Sequence, residues 1–188
     1  MLKDVPNNLP TLEGYIPSGE YNLKTFNTAD ELVDNLLSRE QAKYEQSGKT
    51  SREWFEIITK ASMIDKEALF DEDRSKIASV IDNRLARGMN LQIDATIKYA
   101  TKSTDARVLN SDLEVESPYN TYKNNGLPIG PICSGITQKS IDAVMNHEQT
   151  DYLYYVLADK AGHHTFCKTA DEFEQARQKY MQIFGYTD

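Results

Sequence analysis

"ITKASMIDKEALFDEDRSKIASVIDNRL" runs from Ile58 to Leu85 and decides how the chain reads. Just upstream, Thr50-Ser-Arg-Glu53 is a capping-box pattern. Trp54, Ile57, Ile58, Ala61, Ile64 and Ala68 then recur at i, i+3, i+4 spacing, which predicts a helix with one buried face. Asp71, Glu72 and Asp73 open another helix, since anions suit the positive pole of the helix dipole. Its apolar face is Ile77, Val80, Ile81 and Leu85, and Gly88 suits its stop. Between the two helices stand two acids, Asp65 and Glu67. Residues i and i+2 on a helix point roughly 200° apart, so they cannot both face one cleft. They are therefore not a carboxylate pair acting across one bond. Asp65 lies nearer the apolar stripe and Glu67 at its flank. Burial raises a carboxyl pKa and suits a general acid, so periodicity alone leans towards Asp65. The competing reading makes both acids ordinary polar positions, one of them paired to a basic residue.

Outward from this stretch, 188 residues suffice for one domain over 1–188 with its own core. Hydrophobic content of 39% and charged content of 27% are those of a globular chain. A net charge of −8 argues against a nucleic-acid partner, which calls for a basic stripe. No apolar run approaches the roughly 18 residues of a membrane helix, and MLKDVPNNLPTLEG has no secretory apolar core. The chain thus reads as cytosolic, or as a piece of an exported protein. Cys133 and Cys167 form no CxxC, and His147, His163 and His164 lack a metal-site spacing, so no metal or cofactor is expected. Two free thiols are expected, with a single disulfide left open.

The opening segment to about Asn27 reads as loop with a short strand. Thr28-Ala-Asp-Glu31 is a capping box that starts a helix with Leu32, Val33, Leu36 and Leu37, and Gly48 breaks it. Leu91 to Tyr99 alternates like a strand, which would set Gln92, Asp94 and Thr96 on one face. Residues 101–131 read as a long loop of the kind that carries function. Tyr152 to Ala158 is the strongest strand, with His164 to Cys167 as its hairpin partner. A last capping box, Thr169 to Glu172, starts a helix with Phe173, Ala176, Tyr180 and Ile183. The expected class is α+β: a helical N-terminal half, then a small β-rich half with long loops. Arg84, in the middle of an apolar stripe beside Asn83, needs a carboxylate or a ligand unless it snorkels. The rings, amides and hydroxyls of SPYNTYKNNGLP (117–128) suit either a sugar cleft or plain turns.

Taken in order, ASMIDKEA, DRSKIASVIDNRLARGMNLQIDATIKY, SPYNTYKNNGLPIGPI and DYLYYVLADKAGHHTF resemble the MltG/YceG-like endolytic murein transglycosylases. LEGYIPSGEY (12–21) is similar to the segment that leads into that family's catalytic domain, and the likeness spans roughly 12 to 184. The resemblance implies an α+β catalytic domain with a distantly lysozyme-like active centre. It implies cleavage of peptidoglycan glycan strands between N-acetylmuramic acid and N-acetylglucosamine. The family motif A-S-I-(I/V)-E-K-E places the catalytic glutamate at Glu67, overruling the lean towards Asp65. The implied reaction is non-hydrolytic and leaves a 1,6-anhydro end, with one carboxyl as acid and then base and no cofactor. Asn83, Arg84, Gln92, Asp94, Thr96, Tyr119, Asn120, Thr121, Tyr122 and His164 match family positions expected around the cleft, holding sugars or supporting Glu67.

The chain departs from the family pattern in several places. F-P-D-T-Y is replaced by Ile16-Pro-Ser-Gly-Glu-Tyr21, a proline by Ile129, a common glycine by His163, and E-H-N by Glu172-Phe173-Glu174. Family members usually carry a membrane anchor and a LysM-like region before this domain. The resemblance therefore implies a catalytic fragment of an anchored protein at the extracytoplasmic face of the cytoplasmic membrane, linked to peptidoglycan synthases, with a short free-standing relative as the alternative. A glycan-binding or scaffold module of cell-wall synthesis is the alternative, motivated by Asp65 and the lost late histidine.

Overall fold

Helix α2, Ser51–Glu67, is the centre of the molecule. In this computed structural model, which describes residues 11–105 and 107–186, it packs against three other helices, α3 (Asp71–Ala86), α4 (Asp94–Thr101) and α5 (Gln138–Met145). Its capping box is fully made: Thr50 Oγ1 accepts from the Glu53 amide, and the Glu53 carboxylate accepts from the Thr50 amide. The predicted stripe is the buried one, with Trp54, Ile58, Ala61 and Ile64 sealed in the core beside Ile77 and Ile81 of α3. Each of the buried isoleucines contributes about 1.5–3 kcal/mol by leaving water. The Ala68 amide makes the last α-helical bond, to Ile64, and Ala68 itself is extended, so Glu67 is the final residue of α2.

Helix α1, Ala29–Ser47, begins at Thr28 and ends at Gly48 as its sequence indicates. Glu31, however, reaches past the cap to the Asn27 amide. Before it, Tyr15 is wholly buried and the Gly135 amide donates to the Ile16 carbonyl, which stitches the lead-in segment to the 131–136 loop. Gly14 sits at φ +82, where a Cβ would lie 2.6 Å from the Pro131 ring. Of the expected opening segment to about Asn27, residues 1–10 lie outside the described residues, and the rest is loop with a 3-10 turn at Leu23–Thr25 in place of the expected short strand.

Strands β1 (Tyr154–Leu157) and β2 (His164–Cys167) form the expected antiparallel hairpin, with Tyr155 opposite Phe166 and Leu157 opposite His164. Helix α6, Ala170–Phe184, starts at its Thr169–Glu172 capping box and packs on both strands. The α+β class holds, with β structure among the described residues confined to this hairpin.

Two expectations change. Leu91 to Tyr99 is not a strand. Leu91 and Ile93 are buried in an extended lead-in, the exposed Gln92 between them has φ 53, and Asp94 begins α4. The alternation is real for three residues, and then helical periodicity takes over with Thr96 and Ile97 buried. Helix α5 is the second difference, since no helix was expected there. Cys133 and Cys167 are free, buried thiols. No helix among the described residues is long and apolar enough to cross a membrane.

Candidate active site

The two acids of α2 meet opposite surroundings. Asp65 turns towards α3 and α5, where its carboxylate is enclosed by donors. Arg74 Nη1 lies at 2.7 Å, Ser140 Oγ at 2.6 Å, the Thr137 amide at 2.7 Å and Thr137 Oγ1 at 2.8 Å. It is the basic-partnered acid, and it caps the start of α5. Glu67 turns the other way, into a cleft. Among the described residues it accepts two hydrogen bonds, both of 3.3 Å, from the Ala95 amide and the Tyr155 hydroxyl.

Electrostatics favour a proton on Glu67. Burial, then the nearby Asp94 carboxylate, push its pKa up to about 7 against the weaker opposing effect of those two donors and Lys98. Helix geometry adds to this. Glu67 ends α2, where the dipole is negative, whereas Asp94 begins α4, where the dipole favours an anion. Asp94 also accepts a short hydrogen bond from the Tyr122 hydroxyl. Two acids in one cleft are thus placed at opposite helix poles, and Glu67 is the one inclined to keep its proton. The Tyr122 and Tyr155 hydroxyls are pushed up by burial and by these carboxylates, so both remain donors.

The cleft has two lobes that share Glu67, Asp94, Leu157, His164 and Tyr180. One, of about 470 Å³, is further lined by Arg84, Gln92, Tyr122, Tyr154, Tyr155 and Phe173, among others. The other, of about 640 Å³, extends along α4 to Ser103, Arg107 and Val108. Of the residues expected here, Arg84, Gln92, Asp94, Tyr122 and His164 line the cleft with Glu67.

The other expected residues are engaged in the scaffold beneath. Asn83 donates to the Thr150 and Tyr152 carbonyls and fixes the approach to β1. Thr96 and Thr121 bond each other at 2.8 Å, and Thr121 also accepts from the Ile93 amide, tying the α4 start to the 117–128 loop. Asn120, fully buried, donates to the Leu113 and Val115 carbonyls and accepts from the Tyr122 and Lys123 amides. It therefore sets the loop conformation that aims Tyr122. Tyr119 packs on Tyr99, with ring centroids 4.6 Å apart.

Arg84 corrects an expectation. It finds neither a carboxylate nor a need for a ligand, because Leu153, Asn90 and Leu91 carbonyls and Gln92 Oε1 surround its guanidinium. Its stacking on Tyr154 completes the enclosure. It pins β1 to the 90–92 lead-in, one wall of the cleft to the other.

Several cleft residues escaped sequence reasoning. Tyr155 lies on the same strand face as Leu157, as the two-residue period of β1 sets it. Asp73, read only as a helix-opening acid, is buried and accepts from the His164 amide at 3.0 Å and pairs with its Nδ1 at 2.9 Å, leaving Nε2 as the ring's other nitrogen. Phe70 and the His163 ring stack at 3.9 Å, and Gly162, at φ +106, sits so close to Leu69 that a Cβ would lie 2.9 Å from its Cδ2. The hairpin turn is thereby clamped to the α2–α3 corner next to Glu67. Among the described residues no cluster of His, Cys, Asp or Glu is placed to hold a metal ion.

The sequence pattern of the YceG-like family matches residues 2–179. The chain belongs to the YceG-like family. It is 39% identical over 175 residues to an endolytic murein transglycosylase of Bacillus subtilis (strain 168), covering 90% of this chain and 48% of that protein. It is 34% identical over 154 residues to the Streptococcus pneumoniae serotype 2 protein of the same name, covering 77% of this chain and 28% of that one. A solved YceG-like protein from Listeria monocytogenes superposes with a TM-score of 0.78 at 39% identity, over 87% of this chain and 55% of its own. The chain thus spans about half, or less, of the length of these relatives.

The departures from the YceG-like pattern have local accounts. His163 stacks on Phe70 and pairs with Asp159 in the turn. Glu172 closes the α6 capping box, and Phe173 stacks on Tyr154 at 5.2 Å at the cleft wall. None of them touches the hydrogen bonds of Glu67.

Proposed function

We propose that this chain is an endolytic lytic transglycosylase acting on peptidoglycan glycan strands, with Glu67 as its acid and base. One observation carries the reading: the Glu67 carboxyl, raised to about 7, faces the cleft beside Asp94 while its helix neighbour Asp65 is consumed by structure. The names of the Bacillus and Streptococcus relatives support the substrate class. The aromatic and amide lining beside Glu67 suits sugars, whose faces stack on rings and whose hydroxyls bond amides.

In the proposed reaction, protonated Glu67 gives its proton to the oxygen between the muramoyl C1 and the next N-acetylglucosamine. The C1–O bond breaks and that sugar leaves with a new hydroxyl. Glu67, now a carboxylate, takes the proton of the muramoyl C6 hydroxyl, and the C6 oxygen closes on C1. The product is a 1,6-anhydro end, no water is consumed, and Glu67 finishes protonated. Asp94 serves as the fixed anion that keeps Glu67 protonated beforehand and faces the positive charge developing at C1. Tyr155 and the Ala95 amide steady Glu67 while it is charged. His164, Gln92 and Tyr122 contact the sugars, and the scaffold residues Asn83, Arg84, Thr96, Tyr119, Asn120 and Thr121 hold the walls in place. We further place the full protein at the extracytoplasmic face of the cytoplasmic membrane, where such strands are made, near the peptidoglycan synthases.

The test is incubation with purified uncrosslinked glycan strands and mass spectrometry of the products. Anhydromuramoyl ends from the unaltered chain, absent with Glu67→Gln, are expected. Reducing ends instead would make the enzyme a hydrolase. Equal activity in Glu67→Gln would remove Glu67 from the chemistry.

A further inference from the structure

The lobe of about 640 Å³ differs in charge from the protein around it. The chain carries −8 overall, yet Lys66, Lys98 and Arg107 all line this one cavity. They arrive from three elements: Lys66 from the last turn of α2, Lys98 from α4, and Arg107 from the loop after α4. Among the described residues, the acids that line this lobe are Glu67, which favours its proton, and Asp94, which is bonded to Tyr122. Arg107 lies 4.1 Å over the Tyr186 ring, which braces the guanidinium without neutralising it. Ser103 and Tyr99 add polar groups, and Val108 and Ile132 an apolar part of the wall.

The neighbouring lobe has a different character. Its one Lys or Arg side chain, Arg84, is occupied by carbonyls, and the remainder is mostly rings with the amide of Gln92. One side of Glu67 therefore suits uncharged sugar, and the other suits a ligand with negative charge. A peptidoglycan strand has this asymmetry. N-acetylglucosamine is uncharged, whereas the lactyl group of the muramoyl sugar carries a peptide with free carboxylates.

We propose that Lys66 and Arg107 form a seat for the carboxylates of the stem peptide, so that the chain selects strands that still carry their stems. This rests on the transglycosylase reading above. Several cations converging on one cavity raise the local concentration of an anionic substrate and fix which sugar stands over Glu67.

The experiment compares stem-bearing strands with the same strands stripped by an amidase, using the unaltered chain, Lys66→Glu/Arg107→Glu, and Arg107→Lys. The expected kcat/KM ratio favours stem-bearing strands by about tenfold at low salt, shrinks as salt rises, and falls towards one in the double variant. Arg107→Lys should keep most of the preference, since the charge is retained. A ratio of one for the unaltered chain, or an equal loss on both substrates in the double variant, overturns the proposal. Binding of a free stem tetrapeptide to Glu67→Gln, measured calorimetrically, separates it from the catalytic reading. Binding lost on adding Arg107→Glu upholds the anionic seat even if no strand is cleaved. No binding, together with a cleavage ratio of one, removes the seat while leaving catalysis standing.

Discussion

Asp65 and Glu67 leave the same turn of α2, and the two regions they enter are built to opposite ends. Around Asp65, an arginine, two hydroxyls and an amide converge within 2.8 Å. Around Glu67, two donors stand at 3.3 Å, and another carboxylate shares the cleft. A charge that is buried and fully partnered holds elements together, here α2 to α3 and α5. A carboxyl that is buried and thinly partnered keeps a proton near neutrality and is ready to give it away. Burial alone does not distinguish these fates, and the count of donors does.

The strongest way to break this division is exchange of Glu67 for glutamine, which keeps the shape and removes the transferable proton. Anhydro-end formation should fall by about 10³-fold, within the range for general acid–base catalysis. Next in size, Asp65→Asn strips Arg74 of its buried partner and should lower unfolding stability by roughly 2–4 kcal/mol. Urea denaturation measures it, and the protein that remains folded should still cleave strands. A functional Asp65 would instead show lost turnover at unchanged stability.

Third, Glu67→Gln should stabilise the fold by about 1–3 kcal/mol at pH 8. Both states of the unaltered protein hold the Glu67 proton below about pH 4, where the substitution changes little. Between there and about 7 only the folded state keeps it, so folded stability falls as pH rises and the glutamine variant pulls ahead. Melting curves of the two proteins across this window should diverge and then run parallel. Smallest, Asp94→Asn removes a charge that holds Glu67 up. The alkaline limb of the pH–rate profile should move down by about half a unit to one unit. An unmoved limb with merely lower rate would leave Asp94 a contact residue only.

Much of the scaffold was legible because it is encoded locally. The boxes at Thr50 and Thr169, the stripe from Trp54 to Ile64 and the β-forming run from Tyr152 to Ala158 need only neighbouring residues, and each element formed where they indicate. Helix α5 was not legible because its N-terminus is completed from afar: Thr137, its cap, donates its own amide to Asp65, 72 residues away. The 91–99 stretch misled because three alternating residues precede a helix, and one of them, Gln92, takes a left-handed backbone. In the candidate site, periodicity rightly placed Asp65 closer to the packed face but could not see its four donors. The motif resemblance pointed to Glu67. Tyr155 and Asp73 became visible only when the hairpin came back over α3.

The hairpin register carries one further consequence. Tyr155 and His164 belong to the same face of a two-stranded ribbon, fixed by the pairing of Leu157 with His164. Side-chain direction in a strand has a period of two. Deletion or insertion of one residue within β1 would turn Tyr155 away from Glu67 while leaving composition and length almost untouched. Along this ribbon, descendants of the sequence can accept many substitutions yet can change length only by even steps, so the family's history here should be written in replacements and not in single-residue gaps.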